Sequence, residues 1–154
     1  MSTIGKRVIF AGAADSANSK PLTVEGIATE AGILPGSVVD YAAAGAGLEL
    51  MDDAATVFGK PLLVANRDEI GNADIDTAWT INESAVAIKP RSGEFLNVFV
   101  ITGQALTVGA ALTRSAATPG ALVLAATDGS EEILCFADET VTTTGTQLVR
   151  VSVA

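Results

Sequence analysis

The clearest pattern along the chain is a period-two repetition of side chains in its second half. Residues 147–153 alternate apolar and polar positions, and residues 94–101 carry apolar side chains on both alternating sets. Because successive side chains of a strand point to opposite faces, the first pattern predicts a strand. The second predicts a strand that is buried on both faces, or nearly so.

Glycine and proline divide the rest of the chain into short apolar stretches. Pro35-Gly36, Pro119-Gly120 and Asp128-Gly129 have the composition of tight turns, because proline presets φ and glycine accepts positive φ. Between the turns lie strand-length apolar stretches, at residues 37–41, 61–65, 85–90 and 121–125. Turns about every 8–12 residues, without sustained helical spacing, predict an all-β fold of the sandwich or barrel type.

The beginning of the chain differs from the rest. Residues 11–20 are small and polar, and they lie between the apolar patches Val8-Ile9-Phe10 and Leu22-Thr23-Val24. No periodicity in this segment could bury a face. A linker would explain it, and so would an arm that grasps a partner.

We therefore predict two parts, an N-terminal arm with entry strands over residues 1–30 and a β-barrel-like domain over residues 31–154. Terminal segments are mobile unless they are tied down. We accordingly expect the residues before Pro21 to be loosely ordered in the free protein. We also expect that the chain can be shortened as far as Lys20 without unfolding the β-domain.

The apolar fraction of 49% consists mainly of alanine and valine, with only 5% aromatic residues. A core of small and β-branched side chains gains less per residue than an aromatic one, because buried apolar area sets the stabilisation. An oligomer that shares its core between subunits would offset this weakness. Trp79 is the lone tryptophan, and we expect it in the core or at a subunit contact.

The net charge of −9, from 9 basic and 18 acidic residues, bears on possible partners. Nucleic-acid binding depends on clustered cations, and the basic residues here are scattered. An acidic surface repels DNA and anionic membranes alike. The longest apolar stretches also fall short of the ~20 residues that a membrane span requires. We expect neither nucleic acid nor membrane as a partner.

Few residues of the chain are suited to catalysis or metal binding. Histidine is absent and Cys135 is the only cysteine, in an apolar context that predicts a buried, inert thiol. The ligand count excludes ordinary zinc sites. We predict no enzymatic activity, no metal and no cofactor.

Carboxylates form the only dense clusters of reactive groups: Asp52-Asp53, Asp68-Glu69, Asp74 with Asp76, and Glu131-Glu132. Facing pairs can hydrolyse glycosides, but these lie at turns with few aromatic residues nearby, so we expect a solvated surface. Asp74-Ile75-Asp76 resembles the start of a calcium loop. It lacks the glycine and the later glutamate of an EF-hand at matching spacing.

Five motifs follow one another along the chain: Glu25-Gly26-Ile27-Ala28 before the Pro35-Gly36 turn, the stretch 61–66, the turn at Gly93-Glu94, the Gly-Gln-x-Leu-x-x-Gly-x-x-Leu phrase at 103–112, and Leu148-Val149-Arg150-Val151. Their order resembles that in the capsid decoration, or cement, proteins of tailed bacteriophages. The likeness covers residues 21–154 and departs from the family pattern over residues 115–122, where a direct Gly-x-Leu phrase is spread out.

This resemblance implies a small β-barrel or β-tulip-like domain with an extended N-terminal arm, without catalytic residues. It implies a protein made in the host cytoplasm that binds the major capsid protein on the outer surface of the virion, often as a homotrimer. The expected capsid or subunit contacts are Val8, Ile9, Phe10, Leu22, Val24 and Trp79. The alternatives are a tail or baseplate β-module and, with less support from the aromatic content, a carbohydrate-binding β-domain.

Overall fold

The computed structural model describes residues 8–13, 20–43, 45, 47–71 and 73–154. Over these ranges it has no α-helix, and hence none that could cross a membrane. The prediction of an all-β fold is confirmed. The strands of the described residues are β1 (Phe10–Gly12), β2 (Thr23–Ala28), β3 (Val38–Tyr41), β4 (Gly47–Leu50), β5 (Leu63–Ala65), β6 (Ser84–Ile88), β7 (Phe95–Val100), β8 (Ala105–Leu106), β9 (Ala111–Arg114), β10 (Leu122–Leu124), β11 (Cys135–Ala137), β12 (Val141–Thr142) and β13 (Gln147–Val153).

The first half of the described chain forms a closed ring of strands in the order β2-β4-β3-β5-β6, and β6 pairs back onto β2. A barrel narrows as its strand number falls, so a five-stranded ring has little interior space. Ala28, Ala65, Ala85 and Ala87 take up little of it and leave space for larger side chains such as Leu63 and Trp79. The alanine-rich composition therefore suits the interior of this ring.

The second half forms another ring around a long antiparallel pair. β13 lies beside β7 from Gln147 opposite Val100 to Ser152 opposite Phe95. From β13 the pairing continues through β11, β9 and β10, and it returns to β7 where Leu122 lies opposite Val100. The strands β8 and β12 form a separate two-stranded ribbon. The predicted single barrel is therefore two fused rings.

Two strands of the first ring are buried on both faces, because their outer faces pack into the second core. In β3 and β5, Val39 and Leu63 face the interior of the first ring, whereas Val38 and Val64 belong to the core of the second. This division follows from the period-two geometry of a strand. Backbone hydrogen bonds fix the junction, because Gly36 donates to Ala65 and accepts from the amide of Phe99.

The described part of the N-terminal segment is not a loose arm. β2 is a wall of the first ring, β1 pairs with β7, and Ile9 is only 2% exposed within the second core. Asn97 donates from its side chain to the carbonyl of Val8 and from its backbone to that of Ile9. The expectation of loose order is therefore wrong for residues 8–13, and a chain shortened to Lys20 would lose part of its core. The rest of that prediction concerns residues 1–7 and 14–19, which lie outside the described residues.

Two glycines near the junction provide a matched test of this packing. Gly32 and Gly36 both have positive φ, at 87° and 95°. A Cβ at Gly32 would meet nothing within 4 Å, whereas one at Gly36 would lie 2.3 Å from the Leu148 side chain. We expect Gly32→Ala to lower the free energy of unfolding by about 1–2 kcal/mol from backbone strain. Gly36→Ala should cost the same strain energy and lose about 1–3 kcal/mol more of the free energy of unfolding, because the added methyl group overpacks against Leu148.

Urea denaturation of the two variants measures this difference. Equal losses of unfolding free energy would contradict the close packing of Gly36 against β13.

Candidate functional site

Two adjoining clefts lie on either side of the loop that follows β5. The larger, which we call the groove, has a volume of about 400 Å³ and lies over the outer face of β2 and β6. The smaller, which we call the N-terminal cleft, has a volume of about 220 Å³. Asn66, Arg67 and Glu69 line both.

The groove combines an apolar floor with an acidic rim. Val86 and Trp79 supply apolar surface, and Thr23 and Ser84 are small polar neighbours on the two strands. The charged and projecting side chains that line it are Glu25, Arg67, Asp68, Glu69 and Ile70. Ile70 is 99% exposed, although an aliphatic side chain is more stable when it is removed from water.

Local hydrogen bonds shape the loop that walls the groove. The indole Nε1 of Trp79 donates to the carbonyl of Asn66 at 2.8 Å, which anchors the start of the loop. The Asp68 carboxylate accepts the amide of Gly71 at 2.8 Å. The amide of Ala73 donates to the carbonyl of Asp68. Tryptophan therefore acts as a core residue that positions the groove.

The residues predicted as contacts lie at different places in the structure. Val8, Ile9 and Phe10 line the N-terminal cleft, and Trp79 lines the groove. Leu22 and Val24 line neither of these clefts; Leu22 is exposed and Val24 packs against the first core. Ile9 and Trp79 are largely buried within the chain itself, so each offers only a small part of its side chain to these clefts.

Reasoning from the sequence missed three residues of the groove. Glu25, Arg67 and Ile70 belong to two segments far apart in the chain, and only the fold brings them together. One signal was present: Ile70 is an isolated aliphatic residue directly after the charged residues 67–69, at a position where a solvated turn needs none. Asp68-Glu69 was recognised, but only as part of a solvated surface.

A buried guanidinium lies outside both clefts. The side chain of Arg114 in β9 is 0% exposed and forms an ion pair with Glu132. It also donates to the carbonyl of Val57 at 2.6 Å and from Nε to the sulfur of Met51 at 3.0 Å. Because a buried charge is costly unless it is paired and hydrogen-bonded, this cluster holds the segment between β4 and β5 against the second ring.

A second ion cluster holds the same segment from outside. The ammonium group of Lys60 lies 2.5 Å from a carboxylate oxygen of Asp40 and 2.5 Å from one of Asp53. The hydrogen bonds that Lys60 donates to the carboxylates of Asp40 and Asp53 raise its pKa above the ordinary value. Asp53 and Glu132 are therefore structural ion-pair partners, which corrects the expectation that their pairs are simply solvated.

The remaining carboxylate clusters show no arrangement for metal binding. Asp74 accepts the amide of Ile75, and Glu131 accepts the amide of Ala126. Among the described residues, no group of three or more acidic, cysteine or histidine side chains could hold a metal ion. A scan of protein-family models and a search of curated proteins both find no match to this chain.

The sulfur of Cys135 lies inside the second core, as predicted. Burial raises its pKa from 9.0 to about 12, because the thiolate would be desolvated. The folded state therefore keeps the proton while the unfolded state loses it above pH 9. The thiol is chemically inactive in the native protein.

The raised thiol pKa gives a testable pH dependence. Between pH 9 and about 12, the free energy of unfolding of the unmodified protein should fall about 1.4 kcal/mol per pH unit more steeply than that of Cys135→Ala. Denaturation at several alkaline pH values measures both slopes. Parallel slopes would contradict the burial of this thiol.

Two of the arginine ion pairs give a second test. Glu132→Gln leaves the buried Arg114 charge uncompensated and should lower the free energy of unfolding by about 3 kcal/mol. The exposed pair of Arg150 and Asp138 is the matched control, and Asp138→Asn should cost less than about 1 kcal/mol. Urea denaturation compares the two. Similar small losses would show that the buried pair does not hold the β4–β5 segment.

Proposed function

We propose that this chain is a non-enzymatic structural protein of a phage head that binds the outside of the capsid and stabilises contacts between major capsid subunits. The motif order from residue 21 onward supports the proposal, as does the all-β fold. We further propose a homotrimer, in which three weak contacts made by one rigid body act at a high effective concentration.

The observation that carries the proposal is that the buried ionisable groups have structural roles. Arg114 is paired with Glu132, Glu94 with Arg91, and Cys135 is enclosed by apolar side chains. Arg114 ties loop segments to the second sheet, and the Glu94 pair lies within the turn before β7. Such roles suit a rigid binding body better than a reaction centre. The exposed surface is then the part of the molecule left for function.

Exposed aliphatic side chains supply a basis for binding. Val8 is 51% exposed at the N-terminal cleft, and Leu22 is exposed at the entry to β2. Both were predicted as contacts, and both stay available on the folded chain. The exposed aromatic residues Tyr41, Phe58 and Phe136 line neither of the two clefts, so these clefts give the carbohydrate-binding alternative no support.

Addition of the protein to expanded phage heads that lack outer decoration tests the proposal. A ligand that binds only the intact shell stabilises it by about 2.7 kcal/mol per site at a hundredfold excess over Kd. We therefore expect the protein to co-sediment with the heads and to raise the temperature at which they release DNA. Binding to purified tails without binding to heads would overturn the proposal.

A double variant shows whether the predicted contacts matter. Val8→Ser with Leu22→Ser should weaken head binding about tenfold or more, because each change removes apolar contact area. Val108→Ser is the control, since Val108 is exposed in the turn between β8 and β9. Circular dichroism verifies that all variants fold. Binding that is unchanged in the double variant would remove Val8 and Leu22 from the interface.

A further inference from the structure

The groove over β2 and β6 has room that no described side chain fills. Its volume of about 400 Å³ exceeds that of a single aliphatic side chain, and Val86 and Trp79 form an apolar floor. Ile70 lies at the rim and projects almost entirely into solvent. An apolar floor and an apolar projection at the same place are typical of a surface that becomes covered.

The charges around the groove indicate what covers it. Glu25, Asp68 and Glu69 contribute three carboxylates, against the single guanidinium of Arg67. Neither Glu25 nor Glu69 has an ion-pair partner among the described residues. Complementary potentials guide association and exclude partners of like charge.

We propose that the groove binds an extended segment of another protein in which lysine or arginine alternates with aliphatic side chains. The aliphatic side chains would pack on Val86 and under Ile70, and the basic ones would reach Glu25 and Glu69. The inference deepens the proposed function and rests on it to the extent that the segment belongs to the capsid.

A second copy of this chain is a poorer occupant. Each copy has a net charge of −9, and two grooves with the same acidic rim would repel each other. Arg67 lies where the groove meets the N-terminal cleft and also lacks an ion pair in the described ranges. Its guanidinium is free to donate to a backbone carbonyl of the bound segment.

Two capped peptides test this specificity directly. One alternates lysine with valine, and the other alternates glutamate with valine. We expect the basic peptide to shift the NMR amide signals of β2, β6 and the loop 66–71, and to bind at least about tenfold more tightly than the acidic one at low salt. Equal affinities, or no shift at about 1 mM basic peptide, would overturn the proposal.

Matched variants locate the binding energy. Glu25→Gln with Glu69→Gln should weaken the basic peptide about fivefold, and Ile70→Ser should weaken it by a similar factor. Asp52→Asn and Val108→Ser remove an exposed charge and an exposed aliphatic residue elsewhere, and should leave affinity unchanged. Equal effects from both sets would refute the groove as the site. Sedimentation of the free protein as an oligomer that Ile70→Ser dissociates would likewise refute it, in favour of a second copy.

Head binding separates this inference from the proposed function. The groove variants could bind heads as tightly as the unmodified protein and yet lose the peptide. The groove would then not contact the capsid, and the inference that its partner segment belongs to the capsid would be wrong, although the proposed binding to heads would stand. If the unmodified protein binds the basic peptide but no head, the proposed function fails and the specificity of the groove stands.

Discussion

The architecture depends on strands that are buried on both faces. β3 and β5 direct alternate side chains into two different cores, and β6 adds Ile88 to the second, so part of the outer face of the first ring belongs to the second core. A narrow five-stranded ring encloses little apolar area, and little area means little stabilisation. Because β3 and β5 bury both faces, they contribute more apolar area than a strand with one solvated face.

The same constraint explains the polar groups at the junction. Polar groups that this packing buries have no access to water and must find partners within the protein. The buried guanidinium of Arg114 finds them in Glu132 and the carbonyl of Val57, and these contacts tie the largely exposed β4–β5 segment to the second ring.

The sequence predicted the strands but not how they close into rings. Turn dipeptides and period-two repetition are local signals, and the all-β fold and the two-faced burial of residues 96–100 followed from them. The existence of two rings depends on pairings such as β2 with β4 and β10 with β7, which join distant residues in parallel. Nothing local encodes such pairings. The prediction for the N-terminal segment failed for the same reason, since the partner of β1 lies about 85 positions away at β7.

The candidate site follows the same division. Trp79 was recognisable as a core or contact residue because of its type, and Cys135 because of its apolar neighbours. The groove was not recognisable, because Glu25 and Glu69 are ordinary surface residues until β2 and the loop after β5 are brought side by side. Arg114 gave no signal either, since a basic residue at the end of a strand is usually exposed.

One junction bears on how the chain reaches its native state. The amide of Val38 donates to Gly120, that of Gly120 to Met51, and that of Met51 back to Val38. These three hydrogen bonds close a cycle between segments of both rings, and two of them form only after the turn at Gly120 has been synthesised. On the ribosome, the amide of Val38 and the carbonyl of Met51 therefore lack their native partner until that turn has emerged, which couples the folding of the first ring to that of the second.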